Sequence, residues 1–188
     1  MTGLASGFRL ETQADPGLAG PMDSETDRTT EIVIRDIRPG DVPWLVARHQ
    51  ELYARDEGFD DSFGRLVAEI LADFMAGHDA TREAGWIAER GGQRLGSIFC
   101  VRLDDRTAKL RLFLLVPEAR GHGLGRRLLR HCMGFARSAG YAGMQLWTHE
   151  SHRAACALYR AEGWQLVDSR PVTSFGVPLV EQTWRMSF

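Results

Sequence analysis

The sequence predicts one α/β domain built on a mixed sheet. Short alternating segments typical of strands are interleaved with amphipathic segments typical of helices. The chain has 188 residues, which suits a single domain of ordinary size, and 44% of them are hydrophobic, enough to form a core. A segment at 108–116 is apolar on both faces, as expected of a strand in the middle of a sheet.

The first 29 residues differ in composition from the rest of the chain. They are rich in glycine, proline, serine and threonine, and Phe8 is their only aromatic residue. Such a segment buries too little apolar surface to offset the entropy of ordering. We therefore predict a disordered extension over 1–29, followed by one domain over 30–188. Met22 is a second candidate start.

The expected element order is β-α-α-β-β-β-α-β-α-β-β. Asp41 is expected to cap the first helix, and Asp60 or Asp61 the second, while Gly91 and Gly92 suggest a hairpin turn. Strands are expected over 31–37, 86–89, 95–103, 108–116, 144–148, 164–169 and 175–186. Helices are expected over 41–54, 60–77, 123–139 and 151–162, the last ended by Gly163.

Composition argues against several classes of protein. The net charge of −2 is unlike that of a nucleic-acid-binding domain, which is usually basic. No apolar run approaches the ~18 residues of a membrane span, and no secretory signal is visible. The three cysteines have no C-x-x-C spacing, so neither a zinc ribbon nor a disulfide framework is expected. We read them as reduced core residues, which favours a cytoplasmic location.

The most informative segment is Arg120-Gly-His-Gly-Leu-Gly125, which lies between a buried strand and an amphipathic helix. A helix N-terminus carries unpaired N–H groups and a partial positive charge, so it suits phosphate. Glycines allow positive φ and a close approach of the backbone to a ligand. This segment, called the glycine loop below, is therefore expected to bind a phosphate group.

The charge pattern around the glycine loop agrees with an anionic ligand. No aspartate or glutamate occurs from Ala119 to His149, whereas the same span holds five arginines. For Arg130 and Arg137, a solvated helix face is the simpler explanation. A P-loop is excluded because no Gly-Lys pair occurs, and the glycine spacing does not fit a dinucleotide-binding fold.

These residues resemble the GCN5-related N-acetyltransferase (GNAT) family. Its signature, [Arg/Gln]-x-x-Gly-x-[Gly/Ala] after a strand, is matched in full by the glycine loop. Ala155-Cys-Ala-Leu-Tyr159 followed by Gly163-Trp164 matches a second family motif, and the resemblance covers about 31–188. It implies a mostly antiparallel mixed sheet flanked by helices, with splayed central strands. A narrower likeness is to the acetyltransferase half of MarR–GNAT fusion proteins.

The resemblance also implies a reaction and its residues. An acetyl group would pass from acetyl-CoA to the amine of a small molecule or amino acid by direct attack on the thioester, with no metal. Tyr159 would be the general acid. The pantetheine arm would bind Leu114, Leu115 and Val116, and the other CoA contacts would come from Arg120, Gly121, His122, Gly123, Leu124, Gly125, Arg126 and His152.

Several points stay open at the level of sequence. His149 or His152 is a candidate for proton transfer or CoA binding, and both are alternatively surface groups. Candidate bases are Glu57, Asp60 and Glu181, or ordered water. Tyr53 and Phe59 suggest an amine with apolar character. A non-catalytic acyl-CoA sensor is the main alternative, a nucleotide-binding protein is a weaker one, and a homodimer is left open. No nucleic-acid or membrane partner is expected.

Overall fold

The computed structural model describes residues 31–188, so the extension predicted over 1–29 lies outside the described residues. The described part forms seven strands, four α-helices and two short 3₁₀ helices, Pro39–Asp41 and Pro117–Ala119. The strands are β1 (Val33–Asp36), β2 (Ala84–Arg90), β3 (Gln93–Arg102), β4 (Thr107–Leu115), β5 (Gly143–His149), β6 (Gln165–Ser174) and β7 (Val177–Ser187). The helices are α1 (Val42–Glu57), α2 (Asp61–Gly77), α3 (Leu124–Ser138) and α4 (Arg153–Ala161).

The seven strands form one sheet in the order β1-β2-β3-β4-β5-β7-β6. Only β4 and β5 are parallel, and the other neighbours are antiparallel. The predicted mixed, mostly antiparallel sheet is confirmed, and the strand expected in its middle is β4, the fourth of seven. Free cysteines at 100, 132 and 156 are buried, as expected.

Each face of the sheet is covered by one pair of helices. Strand side chains alternate between the faces, so neighbouring β3 residues enter different cores. Ile98 packs with Leu128 of α3, whereas Phe99 packs with Leu45 of α1 and Leu71 of α2. The first core also holds residues of α4, so α3 and α4 share one face and α1 and α2 the other.

The two central strands diverge halfway along their length. The ladder between β4 and β5 ends at the pair Leu110 and Leu146, although β4 continues to Leu115 and β5 to His149. The β3–β4 register shifts between Ser97 and Phe99, opposite Leu112, whose φ is +47°. A bulge bends the strand that carries it, so this one accounts for the divergence. The expected splayed strands are thus present.

Some local expectations are confirmed and others need correction. Asp60 caps α2, since its carboxylate accepts a 2.8 Å hydrogen bond from Ser62 N–H. Gly91 and Gly92 form the hairpin turn with φ of +56° and +80°. Asp41 precedes α1 but does not cap it with its side chain, because Arg35 and Arg94 engage the carboxylate instead.

The C-terminal hairpin is longer than expected. Strand β6 runs to Ser174 through Pro171, a residue that argues against a strand from sequence alone. Proline is tolerated there because β6 lies at the edge of the sheet. Phe175, expected to begin the last strand, instead occupies the turn with φ of +54°. The turn places its ring against α1 and α2.

No helix in residues 31–188 is both long and apolar enough to cross a membrane.

Candidate active site

The glycine loop has the geometry of an anion-binding helix start. Gly121 and Gly123 have φ of +83° and +77°, and nothing lies within 4 Å of a Cβ built on either residue. Gly123 occupies the N-cap position of α3 without a side-chain cap. Within 31–188, no protein acceptor takes the N–H groups of 121–126. These unpaired donors lie at the positive end of a 15-residue helix, and residues 121–123 are exposed.

Gly125 has a different role from the other two glycines of the loop. A Cβ built on Gly125 would lie 3.3 Å from Leu115 Cδ1 and 3.5 Å from Leu158 Cδ2. The missing side chain therefore lets α3 start directly against the end of β4. This contact fixes the row of donors beside the gap between β4 and β5.

The arginines near the loop are largely engaged by other parts of the protein. Arg126 and Arg130 both bind the carboxylate of Glu162, at 3.0 Å and 2.7 Å. Arg120 donates to the Leu115 carbonyl at 3.2 Å and lies 3.9 Å from Asp56. The acid-free run in the sequence is thus neutralised by acids from other elements. The backbone N–H groups remain the main donors toward a phosphate.

The last two arginines of this run also have partners. Arg127 donates to the carbonyl of Ile32 at 2.8 Å, and the Arg137 guanidinium lies 4.7 Å from the ring centroid of Phe188. For Arg137, this agrees with a role at the surface of α3.

The predicted pantetheine residues lie along the free part of β4. Leu114 and Leu115 pair with Ser97 and Gly96 of β3, and Val116 donates its N–H to the Leu95 carbonyl at 3.0 Å. Because amides alternate in direction along a strand, the N–H of Leu115 points to the β5 side. The donor available in the gap is therefore the amide of Leu115.

Tyr159 of α4 is buried beside the gap. Its side chain is 4% exposed, and its ring centroid lies 6.3 Å from that of Phe113, on the part of β4 beyond the ladder with β5. Burial, together with the neighbouring Tyr53, raises the pKa of Tyr159 far above its ordinary value. The phenol therefore stays protonated, the form that a proton donor needs.

An aromatic cluster lies on the other side of β5, between the α1–α2 connection and the β6–β7 turn. It contains Tyr53, Phe59, Phe63, His149 and Phe175. Phe59 is its centre, with ring centroids 4.9–5.5 Å from those of the other four. Tyr53 and Phe59, the two residues singled out in the sequence, thus belong to one cluster. Burial raises the pKa of Tyr53 to about 12.

A pocket of about 590 Å³ opens next to this cluster. Phe59 and Glu57 line it on one side and the β6–β7 residues 177–180 on the other. Its other lining residues are Glu150, Ser151 and Arg153. The pocket thus combines apolar walls with two carboxylates and one guanidinium, and its carboxylates suit an amine with an apolar part.

The two histidines after the central strands differ in environment. His149 is 2% exposed and neither ring nitrogen has a hydrogen-bond partner within 31–188. Burial, aided by His152, lowers its pKa to about 4, so His149 is neutral. His152 has both ring nitrogens near polar groups: Nδ1 lies 3.2 Å from Thr148 Oγ1, and Nε2 lies 3.4 Å from Glu57 Oε1.

The three candidate carboxylates have different partners in the structure. Asp60 is occupied as the cap of α2, and Glu181 pairs with Arg170 at 3.0 Å. The Glu57 carboxylate lies 3.4 Å from His152 Nε2, whereas Glu181 faces His149 as its neighbour in the β5–β7 ladder. Sequence reasoning did not single out Thr148 or Ser97, because their importance depends on strand register and on a bulge. Within 31–188, no cluster of three or more potential ligands could hold a metal ion.

Comparisons with known proteins agree with this geometry. The model of the Acetyltransferase (GNAT) family matches residues 43–164. Rattus norvegicus N-acetyltransferase 8F1 is 30% identical over 114 residues, which cover 58% of this chain and 50% of that protein. The chain thus spans about half the length of the curated relatives that it matches.

Solved structures share the fold. Phosphinothricin acetyltransferase from Sinorhizobium meliloti, in complex with AcCoA, aligns with a TM-score of 0.69 and 21% identity, covering 83% of this chain and 88% of that one. The yncA structure from Salmonella typhimurium with its cofactor acetyl-CoA also gives 0.69, at 19% identity, covering 83% and 93%. With its sequence signature, open glycine loop and splayed strands, the chain belongs to the GNAT acetyltransferase family.

Proposed function

We propose that this protein transfers an acetyl group from acetyl-CoA to the amine of a small molecule or an amino acid. The observation that carries the proposal is the row of unpaired N–H groups over 121–126 beside the open end of the β4–β5 gap. A diphosphate fits this row because positive φ at Gly121 and Gly123 leaves the space above it empty. The thioester end then follows the gap.

The free part of β4 provides the next contacts. The backbone of 114–116 would hold the pantetheine arm as an added partner at the unpaired side of β4. The Leu115 N–H is the donor suited to polarise the thioester carbonyl. A fixed donor of this kind stabilises the charge that develops on the oxygen during attack.

Tyr159 is the proposed acid. As the amine nitrogen bonds to the acetyl carbon, the C–S bond breaks and the departing sulfur needs a proton. The buried phenol beside Phe113 donates it and is reprotonated from solvent. Burial disfavours a charged thiolate beside Tyr159, and because the same burial raises the pKa of the phenol, donation requires direct contact between the hydroxyl and the sulfur.

The pocket of about 590 Å³ beside Glu57 and Phe59 is the proposed acceptor site. It opens near the C-terminal end of β5, whereas the glycine loop follows the end of β4. Because β4 and β5 are parallel, both sites lie at the same edge of the sheet, so acetyl-CoA and the amine can be bound side by side, as direct transfer requires. The aromatic cluster behind the pocket favours an amine with an apolar or aromatic part.

The test is a thiol-release assay with acetyl-CoA against a panel of primary amines and amino acids. We expect release with at least one acceptor, above the rate of hydrolysis in water. Tight CoA binding without release for any acceptor would favour the acyl-CoA sensor instead. Protection from heating by ATP or NAD but not by CoA would favour a nucleotide-binding protein. A cytoplasmic location, a homodimer, and closeness to MarR–GNAT fusion proteins stay predictions.

A further inference from the structure

The strongest unassigned feature is a chain of polar side chains that joins the central gap to the acceptor pocket. Thr148 lies on β5 beyond the end of its ladder with β4 at Leu146. Its hydroxyl is 3.2 Å from His152 Nδ1, and His152 Nε2 is 3.4 Å from a carboxylate oxygen of Glu57. Glu57 in turn lines the pocket.

The inner end of this chain lies on the same face of the sheet as the proposed acid. Leu146 and Thr148 are two residues apart on β5, so their side chains point to the same face. Leu146 packs in the core that contains Tyr159, so the Thr148 hydroxyl points toward the helix pair that carries the phenol. Thr148 is 7% exposed, so the hydroxyl is screened from bulk water.

The contacts of His152 select one arrangement of its protons. A carboxylate only accepts hydrogen bonds, so Glu57 favours the tautomer with hydrogen on Nε2. Nδ1 is then left as an acceptor for the Thr148 hydroxyl. The edge of Tyr53, at a ring-centroid distance of 5.2 Å, holds the imidazole in place.

We propose that Thr148, His152 and Glu57 form a proton relay that removes the proton of the attacking amine and delivers it to the acceptor pocket. This inference rests on the proposed function. Thr148 does not line the pocket, so the proposal places the nitrogen of an amine that extends from the pocket into the gap at the Thr148 hydroxyl. Thr148 is then the catalytic residue, whereas His152 and Glu57 act through it. The relay is separate from Tyr159, which supplies a proton to the sulfur.

The proton balance is closed. When the amine nitrogen bonds to the acetyl carbon, its proton passes to Thr148 Oγ1 and the hydroxyl proton passes to His152 Nδ1. The imidazolium, paired with Glu57, releases its Nε2 proton to water in the pocket. Exchange with solvent then removes the proton from Nδ1 and returns one to Nε2, which restores the starting tautomer. At the other side, Tyr159 protonates the sulfur and regains a proton from water, so one proton leaves and one enters per turnover.

The charges around His152 suit a base. Burial lowers the pKa of His152 below its ordinary value, although Glu57 opposes this shift. The groups that face the ring from α1, the glycine loop and β5 are Tyr53, Asp56, Glu57, Arg120 and His149. His152 is therefore neutral near pH 7 and ready to accept a proton.

The experiment compares His152→Gln, Glu57→Gln, Thr148→Val and Thr148→Ser with wild type. Controls are His131→Gln, at an exposed site on α3, and Glu69→Gln, at an exposed site on α2. The acceptor is the amine with the highest thiol release in the panel. Circular dichroism and thermal melts establish that each variant is folded.

We expect His152→Gln and Thr148→Val to lower kcat about 100-fold, within the usual contribution of acid–base groups, without changing the dissociation constant of CoA. Thr148→Ser should restore most of the rate, because it keeps the hydroxyl. The acidic limb of the pH–rate profile should disappear in His152→Gln. It should move to lower pH in Glu57→Gln, since Glu57 raises the pKa of His152. The two controls should behave like wild type.

Other results would overturn the relay. Weaker CoA binding by His152→Gln with an unchanged kcat would make His152 a CoA contact, as the family resemblance implies. If the acidic limb of the pH–rate profile does not move in Glu57→Gln, Glu57 is not part of the relay.

A second measurement separates failure of the relay from failure of the proposed function. Nitrogen-15 NMR of the histidines in the CoA complex should show His152 protonated on Nε2, with a titration that Glu57→Gln shifts to lower pH. This readout needs no turnover. A wild-type protein that releases no thiol contradicts the acetyltransferase proposal, whereas an Nδ1–H tautomer contradicts the relay.

Discussion

Ser97 Oγ donates a 2.7 Å hydrogen bond to the carbonyl oxygen of Leu112 across the bulge of the central sheet. Ser97 is fully buried, and Leu112 has a φ of +47°, in a region that costs a non-glycine residue roughly 1–3 kcal/mol. One buried hydroxyl thus helps to hold the strained residue at which β4 turns away from β5. The gap proposed for acetyl-CoA depends on this bend.

Ser97→Ala should therefore weaken both stability and acetyl-CoA binding. Loss of the bond leaves a carbonyl under-satisfied, which should lower the free energy of unfolding by about 1–2 kcal/mol. A less defined bend should also raise the KM for acetyl-CoA several-fold. Thermal melts with and without CoA measure both effects. Ser138→Ala, at the exposed end of α3, is the control and should stay within about 0.5 kcal/mol of wild type.

Gly123, the N-cap of α3, and Gly134, inside α3, offer a matched comparison for the phosphate site. Gly123→Ala places a Cβ at φ of +77°, where an L-residue costs about 1–2 kcal/mol. The strain should turn the loop N–H groups away from their present direction and weaken CoA binding about tenfold. Gly134→Ala makes the same chemical change inside the exposed face of α3 and should add about 0.5–1 kcal/mol of stability.

Isothermal titration with CoA measures the affinity of both glycine variants. Equal affinity of Gly123→Ala and wild type would contradict the placement of the diphosphate on the glycine loop. Weakened binding by Gly134→Ala would show that any change in α3 disturbs the site.

Tyr159→Phe tests the proton donor without removing the ring. The phenylalanine keeps the contacts with Phe113, Trp164 and Trp184, so the dissociation constant of CoA should change less than about twofold. Turnover should fall about 100-fold, because the sulfur must leave without a proton. Single-turnover thiol release measures the chemical step.

Tyr141→Phe is the control for the loss of a tyrosine hydroxyl. Its hydroxyl donates to the Arg82 carbonyl at 3.1 Å, in the connection before β2, and no role in the reaction is assigned to it. It should cost about 1 kcal/mol of stability and leave turnover unchanged. Equal turnover of Tyr159→Phe and wild type would remove Tyr159 from the acid role.

The sequence predicted the glycine loop and the position of Tyr159 because each depends on local spacing. The glycines after the buried strand favour the positive φ angles of the loop, and Tyr159 is the last residue of a motif that lies within one helix. The element order was predicted for the same reason. One kind of error concerned boundaries such as Pro171, where the position of the strand at the sheet edge overrides the residue's local preference. Another concerned the expected cap Asp41, whose carboxylate binds Arg35 and Arg94 instead.

The relay could not be predicted in the same way. Glu57 and His152 are brought together where the end of α1 meets the connection between β5 and α4, and Thr148 is placed by the course of β5. Glu57 was one of three candidate carboxylates in the sequence. Only the structure shows that Asp60 is engaged in a helix cap and Glu181 in an ion pair.

Asp41 provides the last prediction, because its role changed between sequence and structure. The carboxylate is 1% exposed and binds Arg35 at 2.8 Å and Arg94 at 2.6 Å. It also accepts from the Arg38 N–H at 2.8 Å, which joins β1 and β3 to the start of α1. Burial by itself raises the pKa of Asp41, but the bonds from Arg35 and Arg94 outweigh it and leave the pKa well below its usual range.

Asp41→Asn should thus lower the free energy of unfolding by about 2 kcal/mol at pH 7. This is less than the loss expected on breaking a fully buried ion pair, because both arginines keep some contact with water. A carboxylate with a depressed pKa stabilises the folded state fully above its unfolded pKa of about 3.9, and this stabilisation is lost as pH falls toward the folded pKa. The difference between variant and wild type should be constant from pH 7 to 5 and shrink below pH 4.

Urea unfolding at several pH values measures this difference, with Asp105→Asn as the control. Asp105 pairs with Arg102 at the surface, with 83% of its side chain exposed, so its loss should cost less than about 1 kcal/mol. The free energies of unfolding of Asp41→Asn and wild type could instead differ by the same amount at every pH. That result would show that the packing of the Asp41 side chain, and not its charge, holds β1, β3 and α1 together.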